Sequence, residues 1–570
     1  MAIGVIIESA VLLLSRIERR SWANSSVHDL LALGSVVLVG TVLMSVVAWI
    51  LHDIRGFPRT VPLISGTLAL LGMGGVRLFL RIYQEERARS ASGAVKKVLL
   101  VGAGDSGSRM VREMRRSPAT GMVPVGYLDD RADKQGLRVS GSQVLGRIDD
   151  LARVAKRHQI DEILITMPSA PGSVTRRVVD LARAEGLPCR IMPSLEQLLS
   201  GEVDFTSIRP VQVDDLLRRE PAAPDEVGLE AYIRDKVVLV SGAGGSIGSE
   251  IVRQIARFGP QRVVLLGRGE NPLHELERIL ALHHPDLDYV IVVGNVCEAA
   301  KMADVFATHS PDIVFHTAAH KHVPMMQYNP DEAVLNNVGG TRILAEAALA
   351  AGVGRFVNIS TDKAVNPVSM MGGTKYLAEL VVRRVAERAG ENQAFVSVRF
   401  GNVLGSRGSV VPVFEEQIRQ GGPITITDPD TTRYFMTIPE ATQLVLQAGA
   451  MAHNGSVYVL DMGEPVRIID LAGDLVRLTG GAADNVEFVF TGMRPGEKLH
   501  EELFADDEKP EPTRNGQILV ARQDSPLAQD LFTHLDRLLS VAAARDWAGI
   551  DREMASLLPT PIARQQLAVE

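Results

Sequence analysis

The sequence predicts an α/β protein in which N-terminal transmembrane helices precede two doubly wound parallel-sheet domains. Residues 96–114 and 235–255 each place an apolar strand before a glycine-rich turn and a helix after it. Ahead of them, residues 28–51 form an apolar run long enough to cross a bilayer. The predicted segments are transmembrane helices over 1–85, a first α/β domain over 95–200, a linker over 201–234, a second α/β domain with a substrate-binding subdomain over 235–503, and a C-terminal tail with a helical cap over 504–570.

Length and composition exclude several classes of protein. The chain has 570 residues, enough for two or three domains. Its 60 Lys+Arg against 68 Asp+Glu give a net charge of −8, which argues against nucleic acid as a partner. Cys189 and Cys297 lie far apart, and His316, His320 and His322 follow a strand without a neighbouring carboxylate. Neither a disulfide framework nor a metal site is therefore predicted.

Two apolar runs predict insertion into a membrane. The first covers 28–51, and a second covers 61–80. Residues 2–14 are too short to span, and are either a truncated helix or an interfacial one. Arginines and lysines flank the outer ends of the two runs, so the positive-inside rule places residues 82–570 in the cytoplasm.

The first glycine-rich turn is Gly102-x-Gly104-x-x-Gly107. Glycines at this spacing allow a tight turn and let backbone N–H groups approach a phosphate. Strand-like runs at 123–130 and 162–170 continue the α/β alternation. No catalytic residues accompany this turn, so a nucleotide-binding domain and a degenerate one remain equal alternatives.

The second turn indicates dinucleotide binding of the Rossmann type more strongly. Its glycines are Gly242, Gly245 and Gly248, with Ser246 and Ile247 between them. Four other positions are predicted to line the cofactor: Arg268, Asn295, Val296 and Ala318. Arg268 replaces the usual acidic residue, and either pairs with a ribose 2′-phosphate, which favours NADP, or stacks on adenine. NAD and NADP both stay open.

Residues 360–375, STDKAVNPVSMMGGTK, resemble the Ser/Thr, Tyr, Lys signature of short-chain dehydrogenases, with one departure. Lys375 stands where the signature has its lysine, but the tyrosine position holds Met371, which carries no proton. Together with 399–414, 432–436 and 492–503, this stretch resembles the long, membrane-anchored UDP-N-acetylglucosamine 4,6-dehydratases of the CapD type, within the extended short-chain dehydrogenase superfamily. A branch of that family also carries Met at the tyrosine position.

The resemblance implies an enzyme of surface polysaccharide synthesis. Its implied substrate is a UDP-sugar, and its implied cofactor is NAD or NADP, tightly bound and recycled. The family further implies a multi-pass protein of the bacterial inner membrane, with cytoplasmic catalytic domains and a lipid bilayer as partner. A homo-oligomer is also expected.

The same resemblance assigns catalytic roles. It implies Asp362 as the acid for the departing hydroxyl at sugar carbon 6 and Lys363 as the base at carbon 5. These roles require a protonated Asp362 and a neutral Lys363 near pH 7. Lys375 is implied to hold the nicotinamide ribose. Thr361, Asp362 or an ordered water would take the carbon 4 hydroxyl proton, a choice that the sequence leaves open.

Motif matching also gives a set of substrate contacts. Arginines suit the diphosphate because they carry a fixed charge, and for each of them a structural ion pair is an equal alternative to a ligand contact. The predicted substrate-binding residues are Lys321, His322, Asn337, Arg399, Asn402, Arg407, Ser409, Arg433, Arg494 and Glu497.

Two rival functions stay open. A nucleotide-sugar 4-epimerase shares the fold, but needs no acid and base for elimination and would normally keep the tyrosine. A catalytically silent, nucleotide-sensing membrane scaffold would explain Met371 and the first domain. Retention of Asp362, Lys363 and Lys375 together argues against the scaffold.

Overall fold

The computed structural model describes residues 27–55, 60, 63–72, 75–76, 95–116, 121–168, 170–192, 208–217, 225–479, 486–522 and 526–562. The chain divides into two compact units. Unit 1 is Met1–Pro168 with Val178–Met192, and unit 2 is Ser169–Arg177 with Pro193–Glu570.

Helical segments are described in the N-terminal part of unit 1. Helix α1 covers Val27–Arg55, and residues 63–72 are helical as well. Within the described part of the chain, no helix combines the length and the apolarity that crossing a membrane requires. The two predicted crossings are therefore not confirmed, and residues 2–14 lie outside the described residues.

The rest of unit 1 is built around a sheet. Its strands lie in the order β3-β4-β2-β1-β5-β6, and every pair is parallel except β3 with β4. This arrangement confirms the predicted parallel α/β domain, with both predicted strands present. The elements are β1 Lys96–Val101, α2 Asp105–Arg116, β2 Met122–Leu128, β3 Arg138–Val139, β4 Ser142–Gly146, α3 Leu151–His158, β5 Glu162–Ile165, α4 Gly172–Ala184 and β6 Cys189–Ile191.

Unit 2 carries the second glycine-rich turn. Its first half consists of β7 Arg209–Pro210, α5 Val213–Leu217, α6 Glu226–Ile233, β8 Val237–Ser241, α7 Ser246–Ala256, β9 Arg262–Gly267, α8 Glu270–His283, β10 Tyr289–Val293, α9 Ala299–His309, β11 Ile313–His316, α10 Val323–Tyr328, α11 Pro330–Ala333, a π-helix Val334–Gly339, α12 Gly340–Ala350, β12 Arg355–Ile359, α13 Met370–Ala386 and β13 Ala394–Arg399.

Its second half consists of β14 Asn402–Val403, α14 Val410–Arg419, β15 Ile424–Ile426, β16 Thr432–Arg433, β17 Phe435–Met436, α15 Ile438–Ala450, β18 Val457–Leu460, β19 Val466–Arg467, α16 Ile468–Thr479, β20 Phe488–Phe490, β21 Lys509–Pro512, β22 Ile518–Arg522, α17 Leu531–Ala543 and α18 Trp547–Leu557.

One nine-stranded sheet organises unit 2, in the order β10-β9-β8-β11-β12-β13-β18-β22-β21. The strands from β10 to β18 are parallel, and β22 pairs antiparallel with both β18 and β21. Strand order reverses between β8 and β11, so a crevice opens there at the carboxyl ends of the strands. The predicted doubly wound fold is confirmed.

The central strands are apolar along their length because helices cover both faces of the sheet. In β8, Val238, Leu239 and Val240 are completely buried. Val238 and Val240 contribute to one apolar cluster and Leu239 to another. Two separate apolar cores therefore fix the sheet on which the glycine-rich turn is mounted.

Two segments outside the predicted domains contain regular elements among their described residues. The predicted linker 201–234 contains α5 and α6, and Leu229 and Ile233 of α6 are buried in the core of unit 2. The predicted C-terminal tail contains strand β21. Its two prolines are tolerated because β21 is an edge strand, where a missing N–H need not interrupt the ladder.

A buried ion cluster joins the end of β13 and helix α13 to the segment before β21. Arg399, 2% exposed, donates to Glu379 at 2.7 Å and to Glu508 at 2.8 Å. The carboxylates and burial together hold its guanidinium inside the protein, away from any ligand. The prediction that Arg399 contacts substrate is therefore wrong, because this cluster engages its donors.

Arg399→Ala should destabilise the protein strongly, because it leaves the buried carboxylates of Glu379 and Glu508 without their cation. We expect the free energy of unfolding to fall by about 3–5 kcal/mol. Chemical denaturation followed by circular dichroism measures this. As a control, Arg522→Ala breaks an exposed pair with Glu511 and should cost no more than about 1 kcal/mol. Equal losses in the two variants would contradict the assigned role of the cluster.

Candidate active site

The second glycine-rich turn has the geometry of a phosphate-binding loop. Gly242 follows β8 with φ +71°, and α7 begins at Ser246 with Gly245 as its N-cap. A Cβ on Gly248 would lie 2.3 Å from the carbonyl oxygen of Gly242, and one on Gly242 would lie 2.8 Å from the backbone nitrogen of Ala318. Only glycine fits at Gly242 and Gly248. The predicted cofactor residues lie together at the carboxyl ends of the parallel strands of unit 2: Gly242, Gly245, Ser246, Ile247, Gly248 and Ala318.

The next two strand ends place the other predicted cofactor residues. Arg268 directly follows β9 and is exposed. Asn295 follows β10, and its side-chain oxygen accepts a hydrogen bond from the backbone N–H of Cys297 at 3.1 Å. Val296 is 5% exposed and belongs to an apolar cluster, so its side chain serves packing.

A buried polar network beneath the turn was not anticipated from the sequence. His316 contacts the hydroxyl of Ser241 through Nδ1 at 2.7 Å and that of Thr341 through Nε2 at 2.9 Å. Thr341 donates its own proton to the carbonyl of Asn337, which assigns the imidazole proton to Nε2 and makes Ser241 the donor to Nδ1. Burial, and secondarily Lys375, lower the pKa of His316 to about 3, so it stays neutral.

Lys375 lies on α13 with its ammonium in the protein interior. The side chain donates from Nζ to the carbonyl of Ile359 at 2.6 Å, and the residue is 5% exposed. Burial lowers its pKa to about 8, against an opposing effect of Glu379. Its amine is therefore anchored at the end of β12, next to the triplet Thr361, Asp362 and Lys363.

Thr361, Asp362 and Lys363 form a connected group immediately after β12. The hydroxyl of Thr361 donates to Oδ1 of Asp362 at 2.9 Å, and Nζ of Lys363 donates to the same oxygen at 3.0 Å. Nζ also donates to Oδ1 of Asn402 at 3.2 Å and lies 3.3 Å from Oε1 of Glu501. Asp362 is completely buried, whereas the Lys363 side chain is 21% exposed.

The expected neutral state of Lys363 is not what the geometry favours. Burial works against the charged amine, but the carboxylates of Asp362 and Glu501 outweigh it, and the pKa of Lys363 is raised. The lysine is thus an ammonium in the unliganded protein. The prediction considered Asp362 but not Glu501, which comes from a distant loop.

Met371 has a packing role. It is 3% exposed and belongs to an apolar cluster that includes Leu535, Leu538 and Met554 of the two C-terminal helices. The tyrosine position of the signature is therefore part of the hydrophobic interior, in agreement with the expectation that Met371 is no acid.

A loop between β14 and α14 meets the glycine-rich turn. The guanidinium of Arg407 donates to the carbonyl of Gly244, and its backbone N–H donates to Ser246 at 3.3 Å. Nζ of Lys321 lies 3.4 Å from the hydroxyl of Ser406, and a Cβ on Gly408 would meet the ring of His322 at 2.7 Å. The predicted residues Lys321, His322 and Arg407 are thus gathered at this loop.

The hydroxyl of Ser409 is buried with no hydrogen-bond partner among the described residues.

Asn337 is a structural clamp and not an accessible substrate contact. It is completely buried, accepts from the backbone N–H of His320 at 2.8 Å and donates to the carbonyl of the same residue at 3.0 Å. Its amide also reaches Thr374 at 3.1 Å. The prediction that Asn337 binds substrate is wrong, since these contacts use its amide on both sides.

Arg433 and Glu497 bind each other in unit 2. Arg433 donates to Glu497 at 3.1 Å and to the carbonyl of Leu499 at 3.1 Å, and its side chain is 7% exposed. Arg494 is exposed on the same loop as Glu497. The structure thus brings Arg433 close to the predicted triplet through Glu501, for which no local sequence signal exists.

In the glycine-rich turn of unit 1, one backbone N–H is bonded within the protein. Asp129 after β2 accepts from the backbone N–H of Ala103 at 2.9 Å and from Lys134 at 2.8 Å. Burial opposes the carboxylate, but these hydrogen bonds and that from Arg131 outweigh it and lower the pKa of Asp129. Asp105 begins the following helix, where its negative charge disfavours a phosphate.

Comparison with known proteins identifies relatives over both units. A family model described as polysaccharide biosynthesis protein matches residues 238–523, and one described as CoA-binding domain matches residues 18–193. The UDP-N-acetylglucosamine 4,6-dehydratase (inverting) of Campylobacter jejuni is 33% identical over 276 residues, 48% of this chain and 78% of that protein. The UDP-glucose 4-epimerase of Rickettsia conorii is 32% identical over 279 residues, 48% of this chain and 79% of that protein.

A longer match covers most of the chain. The capsular polysaccharide biosynthesis protein CapD of Staphylococcus aureus is 42% identical over 516 residues, which span 88% of this chain and 85% of that protein. Such identity over both units exceeds what a shared fold alone would give. The chain belongs to the CapD-type family of polysaccharide biosynthesis proteins.

Proposed function

We propose that the protein is a nucleotide-sugar 4,6-dehydratase, which converts UDP-N-acetylglucosamine to a UDP-4-keto-6-deoxy sugar with loss of water, for surface polysaccharide synthesis. The observation that carries this proposal is the hydrogen-bonded Asp362–Lys363 pair after β12, in a unit whose β8 ends in a dinucleotide-type turn. Relatives named for capsular polysaccharide synthesis and for this dehydration support the substrate class.

The residues of unit 2 fit NAD or NADP. A side chain at Gly242 or Gly248 would clash with the backbone, and the start of α7 directs the N–H groups of a helix N-terminus toward a diphosphate. Nζ of Lys375 lies at the end of β12, where it would hold the nicotinamide ribose. When bound, such a dinucleotide supplies a reversible hydride store for sugar carbons 4 and 6. Arg268, in place of an acidic residue, leaves both cofactors open.

A single proton on the Asp362–Lys363 pair serves both halves of the elimination. Transfer of that proton from Nζ to Oδ1, across 3.0 Å, gives a neutral amine and a neutral carboxylic acid without changing the total protonation. The amine then removes the proton from carbon 5 of the 4-keto sugar, while the acid protonates the hydroxyl on carbon 6, which leaves as water. The ion pair is restored when the water has left. Carbon 5 is later reprotonated with a proton from solvent, and this balances the proton released to solvent from the carbon 4 hydroxyl. A charged Lys363 in the unliganded protein is thus compatible with its role as base.

The purified full-length protein, incubated with UDP-N-acetylglucosamine in D₂O, tests the proposed function. We expect a product that has lost one water and gained one deuteron, detected by mass spectrometry. An isobaric sugar would indicate the epimerase instead. Unchanged substrate in a protein that retains bound dinucleotide would favour the scaffold.

Lys363→Ala should abolish turnover and leave dinucleotide binding intact. Loss of a positioned acid–base group lowers the rate by about 10²–10⁴-fold, and here it removes the pair's proton donor as well. Product formation measures the first effect, and calorimetric titration with the dinucleotide measures the second.

Lys236→Ala is the matched control. Lys236 directly precedes β8, at the amino-terminal ends of the parallel strands and away from the turn, and its side chain is 46% exposed. It should keep wild-type turnover. Normal turnover by Lys363→Ala would refute the assigned base.

We also propose that the N-terminal helices attach the protein to the bacterial inner membrane, with the catalytic unit in the cytoplasm. Helix α1 exposes large apolar side chains, including Leu38 at 64%, Val42 at 54% and Trp49 at 65%. Such a surface is costly in water and is typical of contact with lipid or another apolar partner. The arginines and lysines at the outer ends of the apolar runs support the cytoplasmic orientation.

Membrane attachment predicts that alkaline carbonate fails to extract the full-length protein from membranes. Two charges on α1, in the double variant Val42→Arg/Val46→Arg, should release it, because arginine is costly in the bilayer. The control Val227→Arg changes an exposed valine of unit 2 and should leave the protein in the membrane fraction. Complete extraction of the wild type by carbonate would refute the attachment.

Protease treatment of right-side-out and inverted vesicles tests the orientation, and unit 2 should be cleaved only in the inverted ones.

Light scattering of the detergent-solubilised protein tests the expected homo-oligomer.

A further inference from the structure

Glu501 is a buried acid beside the proposed acid–base pair, and the mechanism above gives it no role. It lies in the segment between β20 and β21, and its side chain is 3% exposed. One oxygen, Oε1, is 3.3 Å from Nζ of Lys363. The other, Oε2, is buried with no hydrogen-bond partner among the residues that the structure describes.

Glu501 stands in the middle of a chain of alternating charges. Asp362 contacts Lys363, Lys363 contacts Glu501, and Oε1 of Glu501 lies 3.8 Å from Nε of Arg433. Arg433 in turn contacts Glu497 at 3.1 Å. A buried carboxylate is stable only when cations compensate its desolvation, and Lys363 and Arg433 provide this compensation.

The charged groups around Lys363 define what Glu501 does to it. Asp362 and Glu501 favour the ammonium form, whereas Arg433 disfavours it. Tyr434 lies near Asp362, and burial raises its pKa, so it is neutral and adds no charge. Asn402 contacts Nζ through its amide oxygen, which is uncharged.

We infer that Glu501 is a positioning residue that holds Nζ of Lys363 between two carboxylates and keeps the single shared proton on the Asp362–Lys363 pair. The inference rests on the proposed function, because it concerns the same acid and base. Without a proton the pair has a base but no acid, and with two protons it has an acid but no base. Activity should therefore follow a bell-shaped dependence on pH, with apparent pKa values that belong to the pair.

The sign of the effect of Glu501 follows from its charge. Its carboxylate stabilises the ammonium of Lys363, so it raises the pH at which the pair loses its last proton. Removing that negative charge should move the alkaline limb to lower pH. An opposite charge at this distance shifts a pKa by about 1–3 units.

Glu501→Gln tests the inference, because glutamine keeps the shape and an oxygen acceptor for Lys363 but loses the charge. We expect the alkaline limb of kcat/KM for dehydration to move to lower pH by about one unit or more. Glu502→Gln is the matched control: the side chain of Glu502 is 47% exposed and pairs with Lys498 at 2.8 Å. The control should keep the wild-type profile.

Glu501→Asp supplies a second measurement if the glutamine variant does not fold. It keeps the charge at a greater distance, so its alkaline limb should fall below that of the wild type by a smaller amount than a full loss of charge would give. A Glu501→Gln limb that coincides with the wild type would overturn the inference. So would a folded Glu501→Gln protein that is inactive at every pH, or a Glu501→Asp limb at or above that of the wild type.

The wild-type protein distinguishes a failure of the proposed function from a failure of the role inferred for Glu501. If it forms no dehydrated product, the proposed function fails. If it forms the product and the Glu501 variants leave the alkaline limb in place, only the inference about Glu501 fails.

Discussion

The placement of the candidate active site depends on buried polar side chains that pair β8 with β11 and β12 with β13. Ser241, His316, Asn358 and Ser397 lie opposite one another on these four strands. Ser241 bonds to His316, and Asn358 donates to Ser397 at 3.0 Å. A slip of one residue within either pair of strands would leave these groups buried without their partners, which is costly. The four residues lie at or near the carboxyl ends of the strands, where the glycine-rich turn and the triplet Thr361, Asp362 and Lys363 begin.

Unit 2 also contains two buried clusters in which acidic and basic side chains compensate each other's charge. Glu379, Arg399 and Glu508 form one buried cluster, and the chain from Asp362 to Glu497 forms another. The cluster around Arg399 has a structural role, because it holds strand β13 to the segment before β21. The cluster around Lys363 differs, because the side chain of Lys363 is partly accessible to solvent and a reacting molecule could therefore contact it.

The two units show how one turn motif reaches different outcomes. In unit 1 the acid that follows the second strand bonds to the turn itself, through Ala103. In unit 2 the corresponding place is held by Arg268, which is exposed, and the N–H of Ala243 bonds to the carbonyl of Leu266 instead. The strand–turn–helix pattern is shared, but the residue at the end of the neighbouring strand places a negative charge beside one turn and a positive charge beside the other. A fold therefore does not by itself assign a ligand.

The sequence by itself determined the strand–turn–helix units and the parallel α/β class of both domains, because these depend on local patterns and short spacings. The triplet Thr361, Asp362 and Lys363 came from a resemblance to a known family, which its consecutive residues make visible in the sequence. Tertiary structure alone decided the partners of charged groups. Glu501 reaches Lys363 from a distant loop and keeps it charged, and Arg399 is withdrawn into an ion cluster although its motif resembles a substrate contact. Electrostatic energies depend on distance in space and on burial, and neither is encoded in the spacing of residues along the chain.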